Sequence, residues 1–343
     1  KLGREVTHLF MKHCAMDDYT WATTEMAEFL SELVQIDLSH SPVHPNLIEY
    51  FSNCTNLQYC NLTSTELRSL PSNFSQLSRL TTLILSRNSL DAIPQEIYQL
   101  ESLEVLDVSQ NNISEVPQEL ENFHKLTVLD VSGNPIVQFP KVLPSLVSLR
   151  EFICWNTRIT ELPCGIFQTS HTALGTAASY KITKLDLHAN SIKYVPSDWF
   201  QGLTELQYID LSCNQLVYLP ESIGYLQSLT YLNLRRNELL FVPPSLSRLR
   251  KHLKFLYFSQ NKFRTPPTSF TGTVLSYFAG ILPGQFYDTW MLECISRSLT
   301  FRQWTSPELV AIGQSVSGDL LRRHIQKAVA DVGGKSKMFV LLP

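Results

Sequence analysis

The 343 residues carry 28 Lys and Arg against 31 Asp and Glu, a net charge of −3. That near balance gives no strong electrostatic pull towards nucleic acid or an anionic membrane, and no basic stripe interrupts it. Hydrophobic residues make up 44% of the chain. No apolar run reaches about 18 residues, so one or two domains with a sizeable core are expected, and no membrane span.

The opening KLGREVTHLF does not read as a signal peptide. In the flank 1–32, apolar Met26, Leu30 and Leu33 predict a helix from about Thr24 to Val34 that caps the segment after it. Phe10 and Trp21 are expected in the core.

From Leu33 to about Pro267 the chain repeats with steps of mostly 23 or 24 residues. One turn reads ESLEVLDVSQNNISEVPQELENF, from Glu101 to Phe123, and the next reads HKLTVLDVSGNPIVQFPKVLPSL. The first apolar position holds Leu33, Leu57, Leu80, Leu103, Leu126, Leu149, Ile182, Leu206, Leu229 and Leu253. Two further apolar positions follow at period two, as in Leu106 and Val108, so each repeat predicts a short strand with one side inward. The ninth position holds Asn88, Asn111, Asn134, Asn190, Asn214, Asn237 and Asn261, with Ser41, Thr65 and Thr157 as replacements. A buried amide there can satisfy backbone groups where the chain leaves the strand, and stacked copies can share bonds. A proline six residues later, as at Pro94, Pro117 and Pro220, predicts extended backbone or short helical turns on the opposite side.

This L-x-x-L-x-L-x-x-N pattern resembles the leucine-rich repeats. The resemblance implies an α/β solenoid over 33–270 with a curved parallel sheet of about ten repeats. IPQEIYQL (93–100), VPQELENF (116–123) and LPESIGYL (219–226) are similar to the intracellular class that includes Ras-pathway scaffolds. Such a fold offers one long concave face, which usually binds protein.

Candidate binding residues are those that point outward from the strands. The fifth position carries an acidic stripe, Asp37, Asp107, Asp130, Asp186 and Asp210, with Asn61 and Asn233. Its plainer reading is repeat consensus that keeps the face soluble; the other is partner selection. The later repeats place Tyr208, Tyr231, Phe255 and Tyr257 on the same face, with Arg235 and Arg236 beside them and Trp155 further back. Tyr, Trp and Arg are enriched at binding hot spots, although neighbouring aromatics also pack to support a sheet. The expected partner-binding set is Trp155, Tyr208, Asp210, Tyr231, Arg235, Arg236, Phe255 and Tyr257.

The step from Leu149 to Ile182 is 33 residues long and contains a polar insertion at about 167–181, read as a projecting loop. His171 stands alone in it, and no metal or cofactor site is expected. Seven cysteines are an odd number. Cys60 and Cys154 take inward positions, Cys14 and Cys294 are isolated, and no C-x-x-C occurs, which favours a reducing, cytoplasmic setting. Sequons at Asn53, Asn61, Asn73 and Asn112 support the extracellular alternative.

After the repeats, 271–343 changes character. Leu309–Val329 has helical spacing broken near Gly318, and Met338–Leu342 reads as a strand. Tyr287-Asp288-Thr289, Leu299–Trp304, Gly318-Asp319-Leu320-Leu321 and Lys337–Leu342 resemble part of the histidine acid phosphatase family. That family's R-H-G-x-R-x-P nucleophile motif is absent: Arg323-His324 is followed by Ile325. The His-Asp pair that should follow the strand is absent too, so no phosphatase activity is expected. No P-loop, dinucleotide fingerprint, nucleophile elbow or H-E-x-x-H is present. The sequence therefore points to a non-enzymatic scaffold that binds a protein, with a phosphatase fragment as the alternative.

Overall fold

The computed structural model describes residues 7–14, 32–43, 48–49, 54–167, 180–240, 243–249 and 252–262. Most of the predicted N-terminal helix, most of the insertion, Pro267 and the whole phosphatase-like tail lie outside these residues. The part of that helix within them is not helical: Glu32–Val34 form a turn and bend leading into a strand.

Among the described residues eleven three-residue strands follow one another: β1 (His8–Phe10), β2 (Gln35–Asp37), β3 (Tyr59–Asn61), β4 (Thr82–Ile84), β5 (Val105–Asp107), β6 (Val128–Asp130), β7 (Glu151–Ile153), β8 (Lys184–Asp186), β9 (Tyr208–Asp210), β10 (Tyr231–Asn233) and β11 (Phe255–Tyr257). They pair in chain order into one parallel sheet. Register is constant, so Leu106 faces Leu129 and Asp107 faces Asp130. The middle residue of every strand from β2 to β11 is buried, as are the apolar residues two positions on. Burying each such leucine contributes about 2 kcal/mol.

β1 is one strand more than the ten repeats expected. Its Leu9 pairs with Ile36 across a longer step, and Cys14 stands where the asparagine would be. Sequence periodicity misses it for those two reasons.

The asparagine ladder works as the spacing predicts. Asn134 donates from Nδ2 to the carbonyls of Val108 and Val131 at 3.0 and 2.9 Å. Its Oδ1 accepts from the N–H groups of Asn111 and Ile113 at 3.2 and 3.0 Å. One side chain thus ties two repeats together, and Asn88, Asn190, Asn214 and Asn237 make equivalent bonds. Hydroxyl replacements do part of this: Thr65 donates only to its own repeat's Leu62 carbonyl and to Asn88 Oδ1.

Just before the ladder, the eighth residue of each repeat turns into the left-handed region. His40, Ser64, Arg87, Gln110, Asn156, Ala189, Cys213, Arg236 and Gln260 all have φ between 51 and 60°. Gly133, at φ +66°, meets this demand without a Cβ, and Asn156 is of a type that tolerates it.

The convex side is made of short 3₁₀ turns. Pro71, Pro94, Pro117 and Pro220 lead into four of them with φ between −61 and −74° and extended ψ. The long step is closed at its base by an aromatic cluster. Phe139, Phe152, Phe167 and Trp199 meet edge to face with centroids 5.3–6.4 Å apart. The two ends of the insertion touch there, with Phe167 and Tyr180 at 5.2 Å. Tyr180 donates its N–H to the Gly202 carbonyl at 3.3 Å. A Cβ on Gly202 would stand 2.2 Å from the Phe167 carbonyl oxygen.

Candidate functional site

The third, fifth and seventh residues of each repeat build three parallel columns on the outward face of the sheet. The fifth-position column has a local structural role that neither sequence reading included. Each of Asp37, Asp107, Asp130, Asp186 and Asp210 accepts the backbone N–H two residues ahead, at 2.8–3.2 Å. Asn61 and Asn233 do the same with Oδ1. Asp37, Asp186 and Asp210 are 3, 9 and 7% exposed, so solubility is not what they supply.

Burying carboxylates in adjacent strands raises their energy, and the column meets this differently along its length. At the N-terminal end, Lys12 reaches Asp37 at 2.9 Å. Burial alone would raise the Asp37 carboxyl, but bonds from Ser39 and Lys12 outweigh it and hold it below the ordinary carboxylate range. In the middle, Asp130 has no such cation. Burial pushes it to about 6 against the bonds from Ser132, with Asp107 and Asp186 adding repulsion. Further along, Asp186 bonds His188 Nδ1 at 2.6 Å, which raises the imidazole against the opposing effect of burial. Asp210 instead accepts Asn233 Nδ2 at 2.8 Å.

The structure brings the expected aromatic residues into contact. Tyr208 and Tyr231 stack at 4.2 Å with their planes 8° apart. Tyr231 also meets Phe255 at 6.1 Å and Tyr257 at 5.6 Å. Arg235 lies over the Tyr257 ring at 4.5 Å. Arg236 donates from Nε to Gln260 at 2.7 Å. Both arginines are exposed, Phe255 is 46% exposed and the tyrosines are half-buried. Burial and the nearby Asp210 raise the Tyr208 and Tyr231 phenols, so both stay neutral donors.

Trp155 does not join this ladder directly. It stacks on His188 at 5.3 Å and 12°. His188, beneath Trp155, and Lys184, beside Tyr208, were absent from the sequence-derived set. Lys184 sits 5.8 Å over the Tyr208 ring while pairing with Glu151 at 3.1 Å. The signal for His188 was available: Trp155, His188 and Arg235 share the seventh-position column, where other repeats carry Ser39, Ser86, Ser109, Ser132 and Ser212.

A leucine-rich repeat family model matches residues 78–136 and 181–239. The fold is a leucine-rich repeat solenoid. Among solved structures, a leucine-rich repeat protein of Leptospira interrogans is similar at 24% identity and a TM-score of 0.61, over 76% of this chain and 74% of that one. An internalin of Listeria monocytogenes is similar at 20% identity and a TM-score of 0.57, over 71% and 66%. A chain from the octameric complex of latrophilin 3, Unc5D and FLRT2 is similar at 18% and 0.53, over 77% and 86%. No curated protein matches the sequence. Solenoids of this kind typically bind proteins or peptides on the concave face. The described cysteines Cys14, Cys54, Cys60, Cys154, Cys164 and Cys213 are unpaired, and burial pushes the Cys54, Cys60 and Cys154 thiols up to about 12. Of the described sequon asparagines, Asn112 is exposed, while Asn61 and Asn73 use Nδ2 in hydrogen bonds within the protein. Among the described residues no helix is long and apolar enough to cross a membrane.

Proposed function

We propose that this solenoid is a non-enzymatic interaction scaffold whose partner protein docks on the concave face of β9–β11. One observation carries the reading: Tyr208, Tyr231, Phe255 and Tyr257 form a continuous aromatic surface with Arg235 laid over its edge. Tyrosine and arginine combine large contact area with polar groups, and they are the residues that dominate binding energy at interfaces. Stacking fixes the rings in advance, so less side-chain freedom is lost on docking. Supporting the sheet does not require Arg235 or Phe255, which extend the patch into solvent. The unpaired thiols support a cytoplasmic setting for this interaction.

Site-specific photo-crosslinking in source cells tests this reading. A photoreactive phenylalanine at position 255 should capture a discrete protein, and the same group at position 82 on β4 should not. Capture from position 82 alone, or from neither position, would overturn it.

A further inference from the structure

Asp186 and Asp210 pair in register across β8 and β9; Asp210 is more than nine-tenths buried, and the Asp186 side chain is 13% exposed. Neither forms an ion pair with a lysine or arginine among the described residues. Asp186 uses Oδ1 for both the N–H and the Nδ1 of His188, at 3.2 and 2.6 Å. Its Oδ2 accepts no hydrogen bond among the described residues. One imidazole nitrogen of His188 and one oxygen from each carboxylate lie within 4.8 Å of one another.

We infer that Asp186, His188 and Asp210 form a binding site for a divalent cation of the zinc type. The donor set fits: imidazole and carboxylate together suit zinc, cobalt and nickel, whereas calcium and magnesium prefer oxygen alone. Bonds of about 2.1 Å need ligand atoms roughly 3–4 Å apart, so the cluster must contract on binding, and Asp186, whose Oδ2 makes no hydrogen bond among the described residues, is the carboxylate able to turn. The outer shell is already built. Trp155 holds one face of the imidazole at 5.3 Å. Ser212 donates its N–H and hydroxyl to Asp210 Oδ1 at 2.8 and 2.6 Å, and Asn233 donates to Oδ2 at 2.8 Å. Such partners orient ligands and sharpen affinity. Elsewhere in the sheet the charge problem has an internal answer, because Lys12 sits on Asp37 at 2.9 Å. Here the two carboxylates rely on His188 and on the Asn233 amide, with no lysine or arginine ion pair among the described residues, and a metal ion would add the charge they lack.

Titration of the folded chain with Co²⁺, followed by visible absorption and by displacement with Zn²⁺, tests the site. Saturable binding to one site with a nitrogen–oxygen ligand spectrum is expected. His188→Ser and Asp210→Asn should each weaken it by more than about tenfold, the least that loss of even an outer-shell partner costs. Both replacements already occur in these columns, at Ser212 and Asn233, so both variants should fold, and circular dichroism checks that. Failure to saturate, affinity unchanged from the parent chain in both variants, or a thiolate band from Cys164 or Cys213 would overturn the inference.

Discussion

The middle of the sheet, β4–β6, and its later part, β8–β11, share one backbone and present different surfaces. Both keep the parallel register, the left-handed eighth residue and the asparagine ladder. The middle strands show Thr82, Val105 and Val128 in the third column, with serines in the seventh. The later strands show Lys184, Tyr208, Tyr231 and Phe255, with His188 and Arg235. Under the proposed docking, stability resides in what the repeats have in common and recognition in where they differ. Substitutions in the two classes should separate cleanly.

The largest effect is expected at the shared ladder. Asn134→Ala would strand carbonyls and N–H groups of two repeats in a buried site. Unfolding in urea should show a loss of about 3–5 kcal/mol, the sum of lost bonds and unsatisfied groups. A loss below about 1 kcal/mol would mean that the ladder is not what joins the repeats.

Next comes the join between the two regions. Gly202→Ala places a Cβ against the Phe167 carbonyl and the Tyr180 ring. Overpacking of this kind costs about 2 kcal/mol. Thermal melting should fall while the far-ultraviolet spectrum is kept.

The acidic column separates the regions by pH. Asp130 has its folded carboxyl at about 6 against an ordinary value of 3.8. The folded state holds that proton more tightly than the unfolded state. Its contribution is thus fully present below about pH 4 and is lost as pH rises through 6. Asn61 and Asn233 show that an amide can make the same bond to the chain, so Asp130→Asn should stabilise the protein by about 1–2 kcal/mol at neutral pH and by little in acid. Asp37 behaves oppositely: its carboxyl is held down, and the stability it contributes at neutral pH is lost in acid. Denaturation midpoints of Asp130→Asn and Asp37→Asn across pH should therefore diverge, and parallel curves would contradict this account.

A smaller effect is expected where the later strands take the middle strands' residue. Tyr231→Val keeps a good strand former and removes the stack on Tyr208. It should cost about 1 kcal/mol in stability yet abolish crosslinking through Phe255.

Most of the fold was legible because the repeat is a packing rule written ten times over. Inward leucines, asparagine and proline each have one physical task, and the spacing states it. β1 escaped because Cys14 and the longer step break the pattern. The left-handed turn escaped because Arg87, Gln110 and Cys213 carry no compositional sign of positive φ. The acidic stripe was visible, but its bond to the chain two residues ahead was not, since such a carboxylate looks in sequence like a surface charge. At the candidate site, the aromatic set followed from column arithmetic. The cluster of Asp186, His188 and Asp210 did not: Asp210 comes from the next repeat, and Asp186 and His188 alone make no recognised motif.

The central claim is that the later strands bind the partner and the middle strands do not. The most direct test compares two exposed double substitutions by quantitative proximity labelling in source cells. Arg235→Ala with Tyr257→Ala removes the edge of the aromatic patch and leaves the Tyr208–Tyr231 stack. Arg87→Ala with Gln110→Ala alters the middle of the same face. The account predicts that the first variant loses a specific partner by about tenfold or more, as two hot-spot residues would, with its melting temperature little changed. Loss in the second variant and retention in the first would contradict it.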